Sequence, residues 1–330
     1  MALNFYTSQQ MTDRKTDHIQ LALGNANKAL RVDARFDYEP LLASNDTSSV
    51  DLSCTFLGKN FTYPLWLSSM TGGSELSRKI NEKMARACMA FGLGMGLGSC
   101  RSLLTSMDHF ADFNMRQFMG DRPLYANLGI AQLEKTSIQV LEEVVGTLSA
   151  DGLIIHINPL QEFLQAEGDR YSCEPLETIQ RICEEASFPL IVKEVGQGMG
   201  PNSLKALLKL PIAAIELAAF GGTNFSLIEN QRQNEEMNPL VHVGHEASEM
   251  VQILNSLAQT NDCKEIIISG GVKNFLDAYF LRNISKMKCL YGQAGMILKY
   301  ATLGYEELRK YIQAQIDGYK MATLMLKVKK

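Results

Sequence analysis

Four side chains able to do chemistry fall within seven positions of one stretch, residues 152–162, which reads G-L-I-I-H-I-N-P-L-Q-E. They are His156, Asn158, Gln161 and Glu162. The first half is a short apolar run suited to a buried strand, bounded by Gly152 and Pro159. Alternation along a strand puts His156 and Asn158 on one face. The chain then breaks at Pro159, so Gln161 and Glu162 follow in the loop just beyond. A core strand has no packing reason to carry an imidazole and an amide at alternate positions, whereas parallel α/β proteins keep their chemistry at such strand ends. Read alone, the stretch describes a histidine-centred acid–base site. A strand end merely solvated by polar residues would look the same, so the rest of the chain decides.

A second unusual position is Lys193, inside the apolar run I-V-K-E-V. An unpaired buried ammonium is costly, so this lysine points into a mouth or meets a partner. Its neighbour Glu194 faces the opposite way in a strand, as a structural partner of a helix.

The elements that must position these groups form a regular series. Eight strand candidates occupy residues 65–70, 92–99, 124–129, 152–158, 190–196, 213–220, 265–270 and 288–294. Helical patterns lie between them at 75–91, 137–148, 174–185, 202–208, 246–258 and 273–281, and a last one runs from 305 to 326. Eight strands alternating with helices in ~260 residues predict an α/β fold, a (β/α)8 TIM barrel. The competing open, doubly wound sheet lacks a G-x-G-x-x-G fingerprint after its first strand. The glycines at alternate positions of G-L-G-M-G-L-G (92–98) keep one strand face thin, as the approach of a flat ligand would require. Residues 1–60 read as an N-terminal segment attached to the barrel of 61–330. That segment holds a helix-like stretch at 19–23 and a hairpin at 52–61 around Gly58-Lys59-Asn60.

The strand ends share a texture: S-S-M-T-G-G (68–73), G-S-C-R (98–101), A-N-L-G (126–129), H-I-N (156–158), V-K-E-V-G (192–196), F-G-G-T-N (220–224), S-G-G-V (269–272) and G-Q-A-G (292–295). Glycines let backbone N–H groups approach a ligand, and Ser, Thr and Asn supply short hydrogen bonds. Turns use the same residues, but eight such ends in register point to one binding face. The ends after strands seven and eight sit where barrels hold a phosphate on backbone N–H groups.

Composition narrows the classes. Hydrophobic residues make up 46% and charged residues 21% of 330, as in an ordinary globular protein. A formal charge of −4 argues against a nucleic-acid surface. Seven cysteines without a C-x-x-C pair suit reduced intracellular thiols. With no signal-peptide pattern and no run near the ~18 apolar residues of a membrane span, a cytoplasmic protein is expected.

Taken together, R-K-T-D-H (14–18), P-L-W-L-S-S-M-T-G-G (64–73), G-S-C-R, A-N-L-G, H-I-N-P-L-Q-E, V-K-E-V-G-Q-G-M, G-G-T-N-F and S-G-G-V-K-N resemble the type 2 isopentenyl diphosphate isomerases, flavin-dependent barrels, in family order over nearly the whole chain. The resemblance implies FMN across the barrel mouth. Ser69, Met70, Thr71, Ser99 and Asn127 would line its ring, Lys193 would approach its polar edge, and Thr223 would lie near the ribityl or phosphate portion. Gly271, Val272, Lys273, Ala294 and Gly295 would cradle its phosphate. It also implies a diphosphate substrate held by Arg14, Lys15, His18, Arg101, His156 and Asn158. Glu162 would bind Mg2+, Gln161 would lie beside the reacting hydrocarbon, and Glu229 would be a family acid near the metal or the reacting carbon. NADPH would only reduce the flavin, and the assembly would be a homo-oligomer. The chain departs from the family pattern at Cys100 (glutamine is common), Phe225 (often tryptophan), Lys273, Phe275 and the run 283–288. The competing functions are an FMN-dependent 2-hydroxy acid oxidase, which wants a histidine and an arginine near strand seven, and a flavin-binding barrel without turnover.

Overall fold

An inward-facing residue at every second position of eight strands determines this fold. The computed structural model describes residues 8–25, 30–233, 236–257 and 264–329. The described residues open with helix α1 (Ser8–Asn25), strand β1 (Phe36–Tyr38) and the hairpin β2 (Cys54–Phe56) and β3 (Lys59–Phe61). Eight parallel strands follow: β4 (Leu65–Leu67), β5 (Gly94–Gly96), β6 (Leu124–Gly129), β7 (Gly152–Ile157), β8 (Leu190–Glu194), β9 (Ala214–Glu216), β10 (Glu265–Ile268) and β11 (Cys289–Gln293). They form a closed barrel, sealed where Gly292 of β11 pairs with Trp66 of β4. The open-sheet alternative is thereby excluded. A last strand, β12 (Leu326–Val328), pairs antiparallel with β1.

The lumen has two levels. Trp66, Tyr125, Ile154, Ile191, Ala214, Ile267 and Leu290 form one apolar cluster at the lower level. Phe56 and Phe61 of the hairpin close it from below as an edge-on pair. The hairpin turns at Leu57-Gly58, both at positive φ (49° and 73°), the geometry of a tight two-residue loop. Its Leu57 N–H donates to the Glu265 carboxylate, which also meets Lys288. Residues 54–61 are therefore built into the barrel floor.

Two positions further along each strand, alternation brings Ser68, Gly96, Asn127, His156, Lys193, Glu216, Ser269 and Gly292 inward. The lower level is apolar and the upper one largely polar, so the lumen is a packed core with a polar mouth.

The glycines of β5 correct one expectation. A Cβ on Gly94 would lie 2.7 Å from the Trp66 ring, and one on Gly96 would lie 2.4 Å from both Ile154 Cδ1 and Ser69 Oγ. On Gly98 it would lie 2.1 Å from the carbonyl oxygen of Thr71. The thin face is filled by the protein's own side chains and backbone.

The outer shell comprises α2 (Glu75–Phe91), α3 (Ile138–Thr147), α4 (Pro159–Leu164), α5 (Pro175–Glu185), α6 (Pro201–Lys209), α7 (Phe225–Gln233), α8 (Ala247–Leu257), α9 (Phe275–Ile284), α10 (Gly295–Leu303) and α11 (Tyr305–Met325), with several single helical turns. Their starts follow local chemistry. The Ser74 side chain caps α2 by accepting from Ser77 N–H, and Asn274 and Asp277 form a reciprocal capping box on α9. Most bury an apolar stripe against the sheet, as α2 does with Ile80, Met84, Ala87 and Cys88, whereas α4 and α7 bury polar side chains such as Glu162 and Glu229. The helix-like run at 19–23 belongs to α1, which is exposed at every position from Asp13 to Gly24.

Candidate active site

At the barrel mouth one cavity is lined by Ser68, Ser69, Met70, Lys193, Glu216, Ala218, Thr223, Phe225, Ser269 and Ala294. Its polar floor is unsatisfied. The hydroxyls of Ser68 and Ser69 and both carboxylate oxygens of Glu216 are buried without a hydrogen-bond partner. Native interiors rarely tolerate this unless a ligand completes the set. Lys193, 6% exposed, points into this mouth and donates to the carbonyl of Glu194 at 2.7 Å. The expected helix partner for Glu194 is not what the structure shows. Its carboxylate folds onto the loop that follows β8, accepting from the N–H groups of Gly196, Gln197 and Gly198 at 2.6, 2.6 and 2.9 Å.

The same space continues into a cavity of about 290 Å3 lined by Gly221, Gly222, Thr223, Gly270–Lys273 and Gly292–Met296. Gly271 sits at φ +72°, a left-handed conformation that a side chain would strain. Helix α10 begins here at Gly295, and Ala294 before it supplies no side-chain cap. The N–H groups of its first turn are thus left for an anion. Gln293 braces the loop, donating to Val272 O at 3.1 Å while accepting from the Tyr311 hydroxyl at 2.9 Å. The departures at Lys273 and Phe275 are accommodated within the α9 capping box, where Lys273 N–H donates to Asp277 at 3.0 Å.

These two joined cavities fit an FMN-like ligand. A polar floor with unmet acceptors and hydroxyls would meet a heteroaromatic ring, and a glycine-lined helix N-terminus would meet a phosphate. Ser69, Met70, Lys193, Thr223, Gly271, Val272, Lys273, Ala294 and Gly295 all line them. Thr71 is held beside the mouth by Asn81, its hydroxyl donating to Asn81 Oδ1 at 2.8 Å. Ser99 is exposed at the end of the β5 run. Asn127 lies buried beneath, its amide donating to Leu97 O at 3.0 Å. Cys100 turns inward: burial pushes its thiol up to about 12, and its N–H donates to Asn127 O at 2.7 Å.

Four strands around the ring from β11, β7 carries the second group. The His156 ring bonds Asn127 Oδ1 through Nδ1 at 2.9 Å. Because the Asn127 amide nitrogen is engaged elsewhere, Nδ1 carries the proton and Nε2 is left as an acceptor. Burial, and secondarily the Lys193 charge, push the imidazole down to about 3, so it is neutral. A neutral imidazole with Nε2 unprotonated is no ready proton donor, which argues against His156 as the acid. Asn158 donates to Gln161 Oε1 at 3.1 Å and to Glu162 Oε1 at 2.9 Å. The other Glu162 oxygen accepts from Asp169 N–H at 2.6 Å. Glu162 is 8% exposed.

Sequence reasoning missed the residues that tie this cluster together. Asp169 pairs with Arg101 at 2.6 Å and accepts from Gln132 at 2.8 Å, joining the loops after β5, β6 and β7. Glu216 was legible by the argument used for Lys193, a charge inside an apolar strand. Asp169 carried no such signal. Glu229 is 5% exposed, so it is not a surface residue. It lies on α7, which packs against α4, and accepts from Arg232 at 2.5 Å. Arg14, Lys15 and His18 lie on the exposed face of α1 and do not line the two mouth cavities.

A magnesium ion would find limited protein ligation. Among the described residues no group of three or more His, Cys, Asp or Glu side chains could hold a metal. One oriented carboxylate, Glu162, stands beside the partnerless Oδ1 of Asn158. That suits Mg2+, which keeps waters and substrate phosphates as most of its ligands. Of the oxidase requirements, no histidine follows β10. His242 and His245 precede α8, and His245 is bonded to Glu249 at 2.8 Å. Among the described residues no helix is long and apolar enough to cross a membrane. Cys54, Cys88, Cys100, Cys173, Cys183 and Cys289 are free thiols, and Cys263 lies outside the described residues.

Comparison with known proteins agrees with this geometry. No protein-family model matches the chain. It is 33% identical over 322 residues to an isopentenyl-diphosphate delta-isomerase of Rickettsia prowazekii, covering 94% of this chain and 92% of that protein. An enzyme of the same name from Pseudescherichia vulneris is 32% identical, covering 95% and 92%. Among solved structures, the flavin-binding domain of baker's yeast flavocytochrome b2 superposes with a TM-score of 0.62 at 15% identity, covering 88% of this chain and 72% of that one. A mandelate oxidase carrying an FMN adduct gives 0.57 at 12%, covering 89% and 88%. At such identities the structures share the fold alone.

Proposed function

The chain belongs to the type 2 isopentenyl diphosphate delta-isomerase family, and from that premise we propose how its own residues serve the reaction. The enzyme interconverts isopentenyl diphosphate and dimethylallyl diphosphate, moving a double bond by one carbon, on an FMN-binding barrel. One proton must reach the terminal alkene carbon and another must leave the carbon nearer the diphosphate. An unactivated alkene is a weak base, so the acid must be strong and closely placed. Reduced FMN, when bound, supplies that acid–base chemistry with no net redox change.

Ser68, Ser69, Met70, Lys193 and Phe225 would hold the ring in the mouth cavity, Thr223 would lie between ring and phosphate, and Gly271, Val272, Lys273, Ala294 and Gly295 would hold the phosphate. Phe225 gives the cavity an apolar wall, which excludes water from the hydrocarbon. Across the ring, Arg101, His156 and Asn158 would bind the diphosphate, and Glu162 would hold Mg2+, whose charge would offset that of the diphosphate. Anionic oxygens can receive an Nε2 proton from His156 once the imidazole changes tautomer or charge. Gln161 orients the alkene end, and Glu229, which accepts from Arg232, serves as a proton-holding group. Residues 1–60 contribute Arg14, Lys15 and His18 to the diphosphate, which requires α1 to fold over the mouth. NADPH is the reductant, and the enzyme works as a cytoplasmic homo-oligomer by the same family reading.

The observation that carries this assignment is a division of the mouth. Partnerless buried oxygens lead into a phosphate cradle at β10–β11, while an oriented carboxylate stands at β7 on the far side. Incubating the protein with isopentenyl diphosphate, dithionite-reduced FMN and Mg2+ is expected to yield dimethylallyl diphosphate. No such product, with FMN demonstrably bound, overturns the assignment.

A further inference from the structure

Among the described residues, Glu216 is the least accommodated carboxyl group of the core. It is 0% exposed, and neither carboxylate oxygen has a hydrogen-bond partner. Burying a carboxylate without donors is costly. The strand cannot relax to find one, because the segment that follows is locked onto β10. Leu217 N–H donates to Ile267 O at 3.0 Å, Ala218 N–H to Ser269 Oγ at 3.0 Å and Ala219 N–H to Ser269 O at 2.8 Å. The side chain therefore stays aimed into the mouth cavity, beside Ser68, Ser69 and Lys193.

Its neighbour in the barrel is decisive. Lys193 and Glu216 occupy paired positions on β8 and β9 and face the same cavity. That cavity thus holds one amine and one carboxyl side chain, of opposite formal charge. The remaining inward positions of this upper level, apart from the neutral His156, are Ser, Gly and Asn. A ring bound there meets no net charge. Lys193 alone would favour negative charge on a reduced ring, and Glu216 cancels that preference.

We propose that Glu216 sets the charge and redox poise of the bound flavin. By offsetting Lys193, it makes the reduced ring take up two protons with its two electrons and remain neutral. A ring that keeps both protons is the form able to give one to a weakly basic alkene. This rests on the FMN-binding reading above and adds a residue to it.

The test is a redox titration of FMN-loaded protein against a dye of known potential, repeated across neutral pH. Wild-type protein is expected to bind two protons per two electrons. In Glu216→Gln the unbalanced Lys193 should reduce this to one proton in the upper part of the range. Preference for reduced over oxidised FMN should rise about tenfold, an upward shift of about 30 mV for a two-electron couple. A wild-type enzyme that takes up a single proton overturns the proposal, and this arm decides even if the variant does not fold. A variant that holds FMN with the wild-type potential and proton count overturns it equally. A wild-type protein without visible flavin absorption after loading defeats the FMN reading instead, so the two failures are distinct.

Discussion

Replacing Gly98 by alanine tests how the mouth loop is positioned. The added Cβ would lie 2.1 Å from Thr71 O and 2.2 Å from its carbonyl carbon, where ordinary contact begins at 3.4 Å. Both partners are backbone, so no side chain can swing aside. Strand and loop must part by about 1.3 Å, the difference between those two distances. That movement breaks the hydrogen bond from Gly98 N–H to Thr71 O, now 3.1 Å. It also pushes Thr71 against Asn81, which holds it from the other side through Oγ1 and the carbonyl at 2.8 and 3.2 Å. A lost buried hydrogen bond costs about 1 kcal/mol, and overpacking adds roughly 1–3 kcal/mol. The sum, about 2–4 kcal/mol, should lower the melting temperature by roughly 3–6 °C in a chain of this size. Because the displaced loop carries Ser69 and Met70, FMN affinity should fall about tenfold, the effect of ~1.4 kcal/mol. Thermal melts and an FMN absorbance titration read both. A variant that melts within about 1 °C of wild type and binds FMN within about twofold would show that the loop is not held as described.

Glu162→Gln should keep the flavin spectrum and lose Mg2+-dependent turnover, since the amide keeps the shape but not the charge of the oriented carboxylate. Turnover that survives at wild-type Mg2+ dependence removes Glu162 as the metal ligand. His156 supplies a pH test. Its folded pKa, about 3, lies below the unfolded value, so acid favours the unfolded chain, which takes up the proton first. Its contribution to stability is complete above about pH 6.5 and declines as pH falls toward about 3. Unfolding free energies of wild type from urea melts should therefore fall with acid more steeply than those of His156→Gln, by up to ~1.4 kcal/mol per pH unit. Equal slopes would mean the imidazole is not held neutral.

All eight barrel strands were legible because their signals are local: apolar runs, glycine-rich ends and helical spacing between them. What stayed hidden is instructive. Helix α10 escaped because its start carries no capping residue. Ala294 stands where a Ser or Asp would announce a helix, and the free N–H groups there are what an anion would use. Functional sites erase the usual start signal in just this way. The glycines of β5 announced a thin strand, but what fills the space depends on Trp66, Ile154 and Thr71, distant in sequence. The Asp169 bridge from Glu162 to Arg101 is likewise a three-dimensional pairing across 68 residues. His156 changed most. Alternation rightly placed it at the mouth, but only its bond to Asn127 and its burial reveal the neutral imidazole.

The hairpin under the barrel also constrains the order in which the chain can be made and folded. Phe56 and Phe61 leave the ribosome early, yet their packing partners include Ile267 and Leu290, more than two hundred residues later. The clasp of β1 on β12 is more extreme, since Phe36 waits for Val328. Contacts so distant in sequence close slowly. Until synthesis is nearly complete, β1 and the hairpin have no place to dock and the nascent barrel has no floor. Two aromatic rings stay exposed throughout, the kind of surface that chaperones shield. A ribosome stalled before β10 would therefore hold a chain that cannot bury its own beginning.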